Sequence, residues 1–225
     1  MKYEILGGNL PVAVCKLDNG ETMKCESGSM SWMDATVNMA TKSGGLGKML
    51  KRSISGDSAF LNHYTASVDG AEIAFASSFP GEIKAMQVTP GNEIIAQKSA
   101  YLASEEEVEM DIFFQKKLGA GFFGGEGFIM QKYSGNGIVF IEVDGSAVTY
   151  ELAAGERKIV DTGYVVAMDS TVKMDIERVK GVKNVLLGGE GLFNTVLTGP
   201  GRIVLQTMPI SKTALLLKSY IQDGK

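Results

Sequence analysis

The segment GGEGLFNTVLTGPGRIVL (residues 188–205) repeats an earlier segment, GGEGFIMQKYSGNGIVFI (residues 124–141). Both run through a glycine-framed glutamate, an apolar stretch, a Gly-x-Gly turn and a second apolar stretch. Glu126 and Glu190 each stand nine residues before the first glycine of that turn. A phrase that recurs at a long, regular spacing indicates a protein assembled from repeats.

Weaker copies extend the pattern over the rest of the chain. The segment SGDSAFLNHYTASVDGAEIAF (55–75) is a third version of the phrase, with Asp57 at the acidic position. Upstream of the three copies stand SWMDATVNM (31–39), LASEEEVEM (102–110) and VAMDSTVKM (166–174). Because two independent phrases recur in the same order, the chain divides into three related units.

We place these units at residues 1–80, 81–146 and 147–225. Their apolar stretches are β-branched runs of strand length, separated by glycine turns. A helical pattern is found only near the end, in ISKTALLLKSYIQ (210–222), where Ser211 is the predicted N-cap. Small β units bury little surface alone and gain a core by packing together. The sequence therefore predicts an all-β, pseudo-threefold prism with a short C-terminal helix.

Composition narrows the possible functions. The chain has 225 residues and a net charge of -4, which argues against nucleic acid as a partner. It has no apolar run near the ~20 residues of a membrane-spanning helix, and the N-terminus does not resemble a signal peptide. Cys15 and Cys25 lack the spacing of a metal or redox motif, so we expect unreactive strand thiols rather than a disulfide. We predict a cytoplasmic protein, with a peripheral membrane location as an extension.

A family resemblance covers nearly the whole chain and is densest over residues 164–210. The string GGEGLF, followed by LTGPG and by LQTMPI, is similar to the signature of the altered-inheritance-of-mitochondria (mitochondrial biogenesis) family, in its bacterial and archaeal form. The resemblance implies three tandem TRAP-like domains, similar to the tryptophan-RNA-binding attenuation protein, each a short double-stranded β-helix. It supplies no catalytic residues and no cofactor. Mitochondrial members are linked to inner-membrane organisation, a location that we do not transfer because no transit peptide is recognisable.

Catalytic and nucleotide-binding chemistry finds little support in the motifs. His63 is the only histidine, whereas a metal site on a β scaffold usually uses two or three. We expect His63 to be a surface residue or a hydrogen-bonded core residue. The Gly-x-Gly turns are followed by strands, whereas a phosphate-binding loop leads into a helix N-terminus. We therefore predict no catalytic residues and no cofactor.

The repeated acids allow two interpretations. Asp57, Glu126 and Glu190 could together hold a hard cation such as Ca²⁺ if they faced a common axis. The favoured interpretation is that each accepts hydrogen bonds from backbone N–H groups of its own turn. We interpret Asp34 and Asp169 in the same way, as turn or strand-end acids, and predict no metal site.

The segment before each glycine–acid phrase mixes lysine with apolar residues in a predicted hairpin loop, which we call a loop tip. The candidate binding residues at the loop tips are Leu46, Met49, Leu50, Lys116, Lys117, Phe122, Phe123, Lys183, Leu186 and Leu187. Apolar residues in loops need an explanation, because loops lie on the surface. Three remain open: the tips pack on one another, they bind a protein partner or a second copy, or they contact an anionic membrane.

These observations favour a non-enzymatic binding or scaffold protein that acts at a membrane surface. The alternative is a small-ligand-binding protein that uses a cleft between β repeats. An enzyme and an RNA-binding protein rank below both.

Overall fold

A computed structural model describes residues 1–43, 60–116, 127–178 and 193–222. These residues form mostly β-strands and one α-helix near the C-terminus, as the sequence predicts. The strands form antiparallel sheets of four, six, six and three strands, and none of these sheets closes on itself within the described ranges.

The strands fall into three sets along the chain. The first set is β1 (Lys2–Leu6), β2 (Val12–Leu17), β3 (Thr22–Cys25), β4 (Trp32–Met33), β5 (Val37–Ser43), β6 (Phe60–Ala66) and β7 (Ala71–Ala76). The second set is β8 (Gly81–Val88), β9 (Ile94–Gln97), β10 (Tyr101–Glu105), β11 (Val108–Lys116), β12 (Phe128–Gly135) and β13 (Gly137–Asp144). The third set is β14 (Ala147–Leu152), β15 (Arg157–Asp161), β16 (Val165–Asp169), β17 (Lys173–Arg178), β18 (Phe193–Thr198) and β19 (Gly201–Gln206), followed by the helix α1 (Ile210–Gln222).

Strand pairing is the same in the three sets once β1, which precedes the pattern, is set aside. The first strand pairs with the sixth in β2–β7, β8–β13 and β14–β19, and the third also pairs with the sixth in β4–β7, β10–β13 and β16–β19. The fifth strand pairs with the second and the fourth in each set. Each repeated phrase of the sequence therefore occupies the same place in its own set of strands.

Two pairings join one set to the next, and we call them the inner junctions. They are β3–β10, where Lys24 lies opposite Ser104, and β9–β16, where Ile95 lies opposite Met168. Both pair the second strand of one set with the third strand of the following set. The remaining strands of these two kinds are β15 and β4, and no pairing partner is found for their outer sides among the described residues. We call these sides the outer edges.

Buried apolar side chains lie inside each set and across the inner junctions. Phe75 and Phe140 belong to one cluster, which therefore spans the first and second sets. Phe128 and Leu197 belong to another, which spans the second and third. Strands that bury one face and pair along both edges keep apolar side chains away from water, and this burial holds the sets together.

The strand-end acids recur in equivalent contacts. A carboxylate oxygen of Asp34 accepts the N–H of Glu72 at 2.8 Å, and one of Asp169 accepts the N–H of Arg202 at 2.8 Å. Glu105, at the matching position of the second set, accepts the N–H of Ile138 at 2.7 Å. Asp34 and Asp169 therefore lie at strand ends and accept backbone N–H groups, as predicted, but the donors belong to the sixth strand of each set and not to the acid's own turn. Each acid satisfies a backbone donor that the adjoining turn leaves open.

Helix α1 corrects one prediction. It begins at Ile210, so Ser211 lies inside the first turn and is not the N-cap. The backbone N–H of Ile210 donates instead to Oδ2 of Asp144, at 2.7 Å. Asp144 ends β13 in the second set, so the helix start is held by a residue distant in sequence. Local patterns predict caps from neighbouring residues and do not identify a contact of this kind.

Candidate functional site

The predicted loop tips lie almost entirely outside the described residues. This applies to Leu46, Met49, Leu50, Lys117, Phe122, Phe123, Lys183, Leu186 and Leu187, and also to the acids Asp57, Glu126 and Glu190. The described strands on either side of each tip pair with each other. The last pairs before the tips are Ser43 with Phe60, Lys116 with Phe128 and Arg178 with Phe193. The tips therefore connect paired antiparallel strands, as the hairpin prediction requires.

Lys116 is the one candidate tip residue within the described ranges. It is the last residue of β11, so it belongs to a strand and not to a loop, contrary to prediction. Its Nζ donates to the carbonyl of Ile176 at 3.2 Å and lies 5.8 Å from the ring centre of Phe193. This ammonium group therefore links the hairpin of the second set to the hairpin of the third.

The histidine and the two cysteines are all buried in the protein interior. His63 is buried, and its Nδ1 lies 2.6 Å from Oε2 of Glu106, across the first inner junction. Cys15 and Cys25 are buried free thiols, as predicted, and burial raises the pKa of each to about 12. Within the described ranges, no group of three His, Cys, Asp or Glu side chains is placed to hold a metal ion.

A cleft of about 460 Å³ is the first candidate site, and we call it the Gln97 cleft. Glu26, Gln97 and Gly163 contribute to its wall, and each lies at the end of, or just beyond, the second strand of its own set. Ile129 and the first turn of α1 add apolar surface. The volume lies within the range of small-molecule sites, which are about 300–1,000 Å³.

Two amide side chains line the cleft and differ in their hydrogen bonds. Both atoms of the Gln206 amide are used: Oε1 accepts the N–H of Asp144 at 3.0 Å, and Nε2 donates to the carbonyl of Gly163 at 2.8 Å. Gln97 is only 5% exposed, yet its side chain does not cap the 3₁₀ turn that follows it. In the described part of the chain, every polar side-chain atom that is fully buried has a hydrogen-bond partner. The Gln97 amide has no such partner there, so it is not fully buried and faces the open cleft.

Asp144 supplies a carboxyl group to the same cleft. Burial raises the pKa of this carboxyl, while the hydrogen bond from Ile210 opposes the rise. Glu26 and Lys98 add one acidic and one basic side chain to the lining. The cleft therefore combines an available amide, a carboxyl and charges of both signs with an apolar wall.

A second candidate surface is the C-terminal part of α1. Lys212 donates to Asp161 at 2.7 Å, which holds the first turns of the helix against the third set. Beyond this point the apolar side chains are exposed, and the fractions reach 74% at Tyr220 and 77% at Ile221. Leu215 and Leu217 are each about half exposed. The helix has two lysines and no acidic residue, and no described helix is long and apolar enough to cross a membrane.

The sequence interpretation missed both surfaces for physical reasons. Gln97, Asp144 and Gly163 come together through strand pairing and share no motif or spacing. The exposure of α1 depends on what the helix packs against, which its own residues do not state. A usable signal was present in its sequence, because the helix groups apolar residues on one side and polar residues on the other, and such an apolar side is normally covered.

Comparison with other proteins supports the arrangement of the whole chain. An uncharacterized protein of Streptococcus pyogenes serotype M6 is 28% identical over 221 residues, covering 94% of this chain and 87% of that protein. A crystal structure of a Streptococcus pyogenes protein superposes with a TM-score of 0.79 at 25% identity, covering 97% of this chain and 99% of the other. The family model described as mitochondrial biogenesis AIM24 matches residues 3–208.

Proposed function

We propose that this chain, which belongs to the mitochondrial biogenesis AIM24 family, is a non-enzymatic binding and scaffold protein that attaches to anionic membrane surfaces through α1. The observation that carries the proposal is the exposed apolar surface of that helix, which includes Leu217, Tyr220 and Ile221. A short helix of this length is marginally stable in water without packing. A surface that covers its apolar side would therefore stabilise it.

The charge of the helix favours an anionic lipid surface as the occupant. Lys212 and Lys218 are its only charged residues, and because Lys212 is paired with Asp161, Lys218 supplies the positive charge of the exposed part of the helix. A lysine near an anionic bilayer adds about 1 kcal/mol of attraction, and inserted apolar side chains add more. Apolar side chains beside lysine are typical of helices that lie in the membrane interface.

The repeat architecture belongs to the same proposal. Three TRAP-like repeats, at residues 1–80, 81–146 and 147–225, would surround a pseudo-threefold axis that passes through the Gln97 cleft. The recurring strand pairing supports this arrangement. It is also supported by the cleft wall, to which each set contributes a residue at the end of, or just beyond, its second strand. Such a body would present α1 and the loop tips on a rigid frame.

Vesicle co-flotation tests the membrane proposal. Wild-type protein should float with vesicles that contain phosphatidylserine and remain behind with pure phosphatidylcholine. A variant with Leu217→Ser, Tyr220→Ser and Ile221→Ser should lose flotation while its thermal stability stays near wild type. A matched control with Leu10→Ser and Met39→Ser removes exposed apolar side chains elsewhere and should float normally.

Three outcomes would contradict this assignment. If wild type does not float, the membrane proposal fails. If the α1 variant still floats, the contact lies elsewhere, and a variant with Phe122→Ser, Phe123→Ser, Leu186→Ser and Leu187→Ser then tests the loop tips. A concentration-dependent dimer that the α1 variant abolishes would assign the helix to self-association instead.

A second candidate function is small-ligand binding between the repeats. The observation that favours it is the nearly buried Gln97 amide that faces the cleft. Ligand binding would use the first turn of α1, whereas membrane attachment would use its exposed C-terminal part. Either function can therefore be present without the other.

A further inference from the structure

We propose that the Gln97 cleft binds an uncharged ligand with an amide-like edge, meaning a hydrogen-bond donor beside an acceptor, carried on an apolar ring. This inference rests on the second candidate function and names its ligand class. Carboxamides and nucleobases both present such an edge, so they are two sources of one chemistry.

The polar half of the argument comes from Gln97. A side-chain amide offers a carbonyl oxygen and an NH₂ group side by side, so its complement is a group that donates and accepts at the same spacing. Gln206, which also lines the cleft, is already committed to Asp144 and Gly163. Gln97 is only 5% exposed, so a ligand that pairs with it would do so away from bulk water. Hydrogen bonds formed in such places discriminate strongly, because an unmatched ligand leaves the amide unpaired.

The charges around the cleft disfavour an ionised ligand. Glu26 and Lys98 carry opposite charges, so together they select neither sign. Asp144 has one carboxylate oxygen committed to Ile210, and its charge would repel an anion in the cleft. A neutral ligand avoids both the repulsion and the desolvation cost of burying a charge.

The apolar half of the argument comes from the apolar part of the cleft wall. Ile129, Pro209 and Ala214 line the cleft and offer no side-chain hydrogen bonds. A ring that stacks against this wall would be covered on one face while its polar edge meets Gln97. Small-molecule sites commonly combine a mostly apolar lining with a few placed polar groups.

Calorimetric titration with matched probes tests the proposal. Benzamide presents the amide edge on an apolar ring, whereas benzoate replaces the donor by a second acceptor and adds a negative charge. 9-Methyladenine and 9-methylpurine form the corresponding nucleobase pair, because methylation removes the ring N–H donor and only the adenine derivative keeps an amino donor beside a ring nitrogen acceptor. Benzamide or 9-methyladenine should bind with a dissociation constant on the order of 1 mM, as suits ligands of this size. Benzoate and 9-methylpurine should bind at least about tenfold more weakly.

Variants connect binding to the cleft. Gln97→Leu keeps the side-chain volume and removes the hydrogen-bonding edge, so it should weaken the binding probe at least about tenfold. The control is Gln87→Leu, because the Gln87 amide donates to the carbonyls of Val88 and Gly137, outside the cleft. This control should leave the affinity within about twofold of wild type. Both variants should retain the wild-type melting temperature within a few degrees, which separates lost binding from lost folding.

Three results would overturn the inference. If neither benzamide nor 9-methyladenine binds saturably, both the ligand class and cleft binding fail for this chemistry. If Gln97→Leu leaves affinity unchanged, Gln97 is not the recognition group. If benzoate or benzylamine binds as well as benzamide and Ala214→Trp blocks it, the cleft is a ligand site of another class. In that case the second candidate function stands while this inference falls.

Discussion

The inner junctions and the outer edges are built from equivalent strands and have different surroundings. At the inner junctions, Ala103 and Ala167 are fully buried on β10 and β16. The equivalent residue on β4 is Trp32, which is 48% exposed. Ile95 on β9 is fully buried, whereas Ile159, its equivalent on β15, is 64% exposed. On the third strands this position carries alanine where another set packs on it, and tryptophan on β4, whose outer side has no pairing partner among the described residues. On the second strands the residue is isoleucine at both places and only its exposure differs.

Applying the register of an inner junction to the two outer edges shows which of their residues would face each other. If β15 were paired with β4 as β9 is with β16, Lys158 would lie opposite Asp34 and Ile159 opposite Met33. Trp32 would then lie opposite Val160. The first of these pairs joins opposite charges and the others join apolar side chains, combinations that favour cross-strand pairing. The comparison shows that two junctions join the three sets of strands. The outer edges of β4 and β15 carry complementary residues but have no pairing partner among the described residues, and we call this pair of edges the open third position.

The largest expected effect comes from placing a charge at equivalent positions of a junction and an edge. Ala103→Asp puts a carboxylate into a fully buried position and should lower the free energy of unfolding by about 4 kcal/mol or prevent folding. Trp32→Asp, at the equivalent position of the outer edge, should cost less than about 1 kcal/mol. Urea unfolding of both variants measures the contrast. Similar losses in the two variants would mean that Trp32 is packed as Ala103 is.

A milder pair of substitutions sharpens the same contrast. Ile95→Ala removes a buried side chain and leaves a cavity, so it should cost about 2–5 kcal/mol. Ile159→Ala removes a side chain that is mostly in water and should change stability by less than about 0.5 kcal/mol. Chemical denaturation at one pH provides both values. An Ile159→Ala loss comparable to that of Ile95→Ala would show that β15 is covered in solution.

A smaller, pH-dependent effect tests the attachment of α1 to the second set. Because burial raises the folded-state pKa of Asp144, its stabilising contribution is present below the unfolded pKa and is lost as pH rises through the folded pKa. Asp144→Asn lacks this titration and retains an acceptor for the N–H of Ile210. The free energy of unfolding of the variant, relative to that of wild type, should therefore rise as the pH is increased from about 3 to about 7. A difference that is constant over this range would contradict the burial of Asp144.

Sequence repeats predict the strands of this protein well because strand and turn signals are local. The phrases around Gly135 and Gly199 mark turns, and a side chain at Gly135 would meet the carbonyl oxygen of Glu107 at 2.2 Å. The positive φ of 95° at Gly135 also favours glycine. Ser211 was wrong as an N-cap, because the partner of the helix start, Asp144, comes from another set.

Departures from the repeat carry information that the common pattern lacks. Trp32 stands where the other two units have alanine, and this difference in size is a sequence signal for an edge that is not packed. The Gln97 cleft has no such signal, since its residues meet only after the sets have paired. The candidate site therefore required the structure, whereas the β-strand character of the repeated phrases could be predicted from the phrases themselves.

The fluorescence of Trp32, the only tryptophan in the chain, tests the open third position most directly. In dilute solution the indole should emit at the long wavelength of a water-exposed tryptophan and be quenched readily by acrylamide. The emission should also remain unchanged in Ile159→Ser, because β15 does not cover it. A blue-shifted emission that resists acrylamide and moves to longer wavelength in Ile159→Ser would contradict the account, and it would show β4 and β15 paired like the strands of the inner junctions.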